Sequence, residues 1–317
     1  MECPKCGFVQ DQNPAECPRC GIVFAKFTAA EEEAPFLSSH TVPSAVEADL
    51  ERLRADRDDL RREWRARVLA LPSALLGAWL AVKAAPGLVR MFSMWVHESG
   101  HAVAAWLCGY SAWPGPWFTP VASERSITLS ALLLGLLVFG AYRAWQQERW
   151  FWVAASAVVL LVTLCCTLLL NAGKARQLIT FSGDGGCLVL GTALMLTVYA
   201  RADHPLRRER LRWALLIFGA LAFMDVYAIW SGSFDRLPFG ESERGLSDPS
   251  VLVEEFGWGV LLLVNRYVAL ARACFFVLAA AYVAGIMESV MALRAVEVDG
   301  QPGGTFHVIR SAARASD

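Results

Sequence analysis

Seven apolar runs, at about 68–85, 88–108, 127–145, 150–170, 178–200, 212–231 and within 257–290, set the fold class of this chain. Each approaches the roughly 20 residues that an α-helix needs to cross bilayer hydrocarbon. Hydrocarbon offers no partner to a backbone N–H or C=O, so apolar runs of this length must satisfy their own backbones as helices. At 56% hydrophobic and 19% charged residues, the 317-residue chain reads as an all-α polytopic membrane protein. About six to seven transmembrane or re-entrant helices are expected. Residues 1–27 lack an apolar signal-peptide core, so the first membrane segment is expected to act as the targeting signal. The net charge of -1 says little about partners, and nucleic acid finds no broad basic face here.

Two basic anchors constrain the topology. Arg61, Arg62, Arg65 and Arg67 precede the first run, and Arg201, Arg207, Arg208, Arg210 and Arg212 precede the sixth. Both should face the cytoplasm. Five runs lie between them, an odd number, so one early run is expected not to cross. The Pro72-containing run and the Trp113-Pro-Gly-Pro-Trp117 loop, dipping back, are the expected places.

Nine cysteines divide into two groups. Cys108, Cys165, Cys166, Cys187 and Cys274 lie in or beside apolar runs, where cysteine behaves as a small hydrophobe. Cys3, Cys6, Cys17 and Cys20 form two Cys-x-x-Cys-Gly knuckles that can converge four thiolates on one Zn²⁺. Residues 1–27 are therefore expected to be a zinc ribbon folded by its metal, with a disulfide pairing as the competing reading. Residues 28–67 read as a linker and a charged juxtamembrane helix. Leu50, Leu53, Leu60 and Trp64 give that helix an a/d-like seam interrupted by Arg57, which suits either a short coiled coil or a solvated helix. Residues 68–290 make the transmembrane domain and 291–317 a cytoplasmic tail.

His97-Glu98-Ser99-Gly100-His101 places two imidazoles at i and i+4 on one helix face with a carboxylate between them. Zincins use this spacing to hold Zn²⁺ by two ring nitrogens while the Glu acts as general base. The motif lies within an apolar run, where ionisable groups are costly unless they bind something. A packed, hydrogen-bonded His pair is the competing reading; only five His occur in the chain, and two stand here in register. A catalytic zinc needs a third protein ligand and an open position. Asp184, in Ser182-Gly-Asp-Gly-Gly186, is one candidate, since three glycines around an acid suggest a broken helix aiming a carboxylate inward. Asp225, within an apolar helix, is the alternative. Asp248 is a third acid, whose Ser-Asp-Pro setting suits a helix N-cap better than a ligand.

Over about residues 88–200 the chain resembles the site-2 protease family of intramembrane zinc metalloproteases. That family pairs a membrane-embedded HExxH with a later Asp-Gly preceded by an Asn, and Asn171 with Asp184-Gly185-Gly186 is similar to that second motif. The resemblance implies His97, His101 and Asp184 as ligands of a catalytic Zn²⁺ and Glu98 as the base that deprotonates a metal-activated water. It further implies a zinc metalloendopeptidase acting on a membrane-anchored protein substrate. Localisation in the bacterial inner membrane follows, with the ribbon in the cytoplasm free to meet a protein partner. A non-catalytic membrane scaffold holding the same metal is the rival, and Glu98 argues against it, because a structural zinc gains nothing from a base. A secondary transporter would need inverted repeats, and none is evident. The sequence leaves the oligomeric state open.

Overall fold

A computed structural model describes residues 3, 8, 9, 15–21, 23, 44–200, 204, 210–242 and 245–299. Cys6, the linker 28–43, Arg201, Arg207, Arg208 and the tail beyond 299 lie outside them. The chain divides into two compact units, Met1–Asp59 and Leu60–Asp317. In the first, Glu16 and Val23 form an antiparallel bridge around the Cys17–Cys20 turn, and Gly21 closes that turn at φ 68°, which suits a residue without Cβ.

The described membrane region is helical: α1 Ser44–Ala84, α2 Pro86–Leu107, α3 Ile127–Gln146, α4 Trp150–Leu169, α5 Ala172–Leu196, α6 Leu211–Trp230 and α7 Val260–Asp299. A two-stranded antiparallel hairpin, β1 Tyr110–Ala112 with β2 Val121–Arg125, separates α2 from α3. A second small hairpin and a helical turn, 248–255, lie between α6 and α7. Six helices are long and apolar enough to cross a membrane, within α1, α3, α4, α5, α6 and α7. Helix α2 is not one of them. It packs instead against α5 and α6, whose apolar windows are half buried, whereas α3 and α4 turn almost their whole surface outward.

Pro72 does not break α1. Without an N–H it leaves the Val68 carbonyl four residues earlier unserved, and the Tyr282 hydroxyl of α7 donates to that oxygen at 3.2 Å. Nor do the glycines break α5, correcting the expectation of an interrupted helix. Gly100 of α2 meets the α5 backbone so closely that a Cβ on it would lie 2.8 Å from the Gly186 Cα. The glycines thus bring two backbones together, as small residues do between membrane helices. Asn171 caps α5, accepting from the Lys174 N–H at 2.8 Å.

Arg67 of the first basic anchor and Arg212 of the second share one end of the bundle. Arg212 grips Glu63 with two bonds of 2.9 and 3.1 Å, and Arg67 joins Glu63 to Glu288 of α7. At the opposite end Arg125 donates to the carbonyls of Thr167, in the last turn of α4, and Leu170, its C-cap, beside the N-terminus of α5. Among the described residues four candidate spans, α1, α3, α4 and α5, lie between those two anchors, an even number; of the five apolar runs it is α2, and not the Pro72 run, that does not qualify as a span.

Candidate metal centre

Helix α2 presents His97 and His101 one turn apart toward α5, their rings 4.8 Å apart and near perpendicular. The α5 glycines make room. A Cβ on Gly183 would lie 2.6 Å from the Nε2 atoms of both rings.

Each ring has its outward nitrogen fixed. His101 Nδ1 lies 2.8 Å from the Ile179 carbonyl, which can only accept, so Nδ1 carries the proton. His97 Nδ1 lies 3.0 Å from Asp184 Oδ1, again an acceptor. In the neutral rings both Nε2 atoms are therefore bare lone pairs, and they face one another at 3.2 Å. Asp248 Oδ2 completes the group, 3.0 Å from each. Three electron-rich atoms converging at this distance repel unless a proton or a metal ion lies among them. His97, His101 and Asp248 can hold a metal ion, in the nitrogen and oxygen set that zinc takes. Charge leads the same way, since Arg90 stands against the carboxylates of Asp184 and Asp225, while that of Asp248 meets only the two imidazoles among the described ion pairs. A divalent cation would balance that excess.

Asp184, the expected third ligand, is brought to His97, but on the side away from the Nε2 pair. Its carboxylate is buried, with Oδ1 on His97 Nδ1 and Oδ2 accepting from Trp230 Nε1 at 2.8 Å. Asp225, the alternative, stands one step further out: its Oδ2 accepts from Arg90 Nη1 at 3.2 Å and from the Ser93 hydroxyl. Asp248 reaches the site because Ser247, not Asp248, is the N-cap of the 248–255 turn; the Ser247 Oγ accepts from Ser250 N at 3.4 Å. The acid is thereby released from capping. Leu252 is fully buried and Ser250 accepts from Gly240 N, which anchors this loop to the bundle.

Glu98 is buried, 5% exposed, and no described residue donates to its carboxylate. Its backbone carbonyl accepts from Thr119 at 3.0 Å, tying the β1–β2 connection to the motif. Sequence reading missed Arg90, Ser93, Gly183 and Trp230. Arg90, a charge in an apolar run, was the visible signal among them.

In the N-terminal unit the ligand atoms of Cys3, Cys17 and Cys20 lie within 4.8 Å of one another and can hold a second metal ion. Burial works against ionisation of Cys17, yet the backbone amides of Cys20 and Arg19 pull its thiol down to about 6. A thiolate is the metal-binding form. No family model, curated protein or solved structure matches this chain.

Proposed function

We propose that this chain is a membrane-embedded zinc metalloprotease that hydrolyses peptide bonds of membrane-anchored proteins, with His97, His101 and Asp248 as metal ligands and Glu98 as general base. The observation that carries this reading is the convergence of two tautomer-fixed Nε2 atoms and one carboxylate oxygen beside a glycine that leaves their approach open. Zinc held there supplies Lewis acidity, polarising a substrate carbonyl and lowering the pKa of a water. Glu98, next to His97 in the helix, takes that water's proton and returns it to the leaving amine. Asp184 fixes the His97 tautomer and raises its basicity, the role carboxylates take behind metal-bound imidazoles. Strand β2 is exposed along Val121–Glu124 and offers a free edge on which an unwound substrate segment could pair. The shared basic end is assigned to the cytoplasm, the membrane to the bacterial inner membrane, and Cys6 joins Cys3, Cys17 and Cys20 around a structural zinc.

The test is Glu98→Gln in the full chain, assayed on a panel of tagged single-span substrates. Cleavage should vanish while zinc stays bound. Cleavage persisting in the variant would overturn the assignment.

A further inference from the structure

Asp225 is 4% exposed within an apolar helix and touches no metal-ligating atom. A buried carboxylate so placed must be held for some purpose other than ligation. Its partner Arg90 lies between two acids. Nη1 is 3.2 Å from Asp225 Oδ2, a hydrogen bond, whereas Nη2 is 3.8 Å from Asp184 Oδ1, an ion pair beyond hydrogen-bond reach. Asp184 Oδ1 is thus left for His97 Nδ1 at 3.0 Å.

We infer that Asp225 is a positioning residue for the metal centre: with Ser93 it holds the Arg90 fork, so that Arg90 neutralises Asp184 without capturing it, and Asp184 stays committed to the His97 ring. Guanidinium and carboxylate prefer a bidentate pairing, and only the hold of Asp225 prevents it. Released, Arg90 would turn onto Asp184 and displace the imidazole N–H. The inference rests on His97 being a metal ligand as proposed above.

The experiment measures zinc affinity by chelator competition on the full chain in detergent, with the ribbon's contribution taken from His97→Ala/His101→Ala. Asp225→Asn should bind about 10- to 100-fold more weakly, the range for losing support behind a ligand. Asp225→Asn/Arg90→Met should recover to within about 3-fold of the parent, because the competitor for Asp184 is gone and the charge balance restored. A purely structural Asp225 predicts the reverse, a double variant worse than the single. Ser93→Ala, which only loosens Asp225, should lose less than Asp225→Asn and guards against misfolding of the stronger variant. Unchanged affinity in Asp225→Asn, or no recovery in the double variant, overturns the inference. A separate reading comes from ¹⁵N NMR of metal-free protein at alkaline pH, where His97 should carry its proton on Nδ1 in the parent and lose that preference in Asp225→Asn. If the parent binds no histidine-dependent zinc yet this tautomer change occurs, the metalloprotease reading fails and the inference is overturned as a statement about a metal centre, leaving only that Asp225 orients the His97 ring. If zinc binds and neither affinity nor tautomer responds, the positioning role fails alone.

Discussion

A single methyl at position 183 would stand 2.6 Å from both Nε2 atoms, in the space an ion between them would use. Gly183→Ala should therefore keep the helices and lose the metal: overpacking of this order costs about 1–3 kcal/mol, about 10- to 100-fold in zinc affinity, measurable by chelator competition. The two acids around the imidazoles should separate cleanly. Asp248→Asn should lose membrane-site zinc outright, while Asp184→Asn should keep it with about 10- to 100-fold weaker binding; metal analysis of both decides, and zinc lost only in Asp184→Asn would reverse the roles. In the N-terminal unit, Cys17 is pulled from its ordinary 9.0 to about 6. Depression has a definite sign. The folded preference for thiolate is complete above about pH 9, shrinks as pH falls and is gone below about 6. Alkylation of metal-free protein should accordingly titrate at Cys17 with a midpoint near 6. At this scale the histidines and Glu98 were legible in the sequence because i,i+4 spacing is a local property. Asp248 was not, since its distance from His97 is set by a loop that returns to the bundle 151 residues later, and no helical period records that return.

Among the elements, the Pro72 helix joins sequence and packing most directly. Tyr282→Phe should strand the half-buried Val68 carbonyl and cost about 1 kcal/mol. In a Pro72→Ala background the same change should cost much less, because an alanine at that position restores the intrahelical donor; thermal unfolding of the four variants in detergent would show the non-additivity. The existence and type of the helices could be read from apolar runs of spanning length. The continuity of α5 could not. Three glycines in five residues weaken a helix in isolation, but here α2 lies against them, and contact between the backbones outweighs propensity. The same packing accommodates the polar residues of α2: Ser93, His97 and Glu98 are buried in the bundle and need no compatibility with lipid.

For the molecule as a whole, the Glu63–Arg212 pairing fixes two distant basic stretches at one end. Cysteines introduced at Arg61 and Arg210 should both be labelled from one side of the membrane by an impermeant thiol reagent, and one at Pro116 from the other. Labelling of Arg61 and Arg210 from opposite sides would break the four-passage arrangement. Hydropathy and charge could show that the count had to be even; that α2 is the run packed against α5 and α6 is a tertiary fact.

The order of the ligands along the chain has a consequence for biogenesis. Two imidazoles and their supporting acid are inserted with α2 and α5, but Asp248 is translated only after α6 has emerged. On the proposed ligand set, a nascent chain of this protein holds an incomplete site through most of its synthesis. Zinc capture, and with it any capacity to cut neighbouring proteins in the membrane, is thereby postponed until six of the seven helices exist.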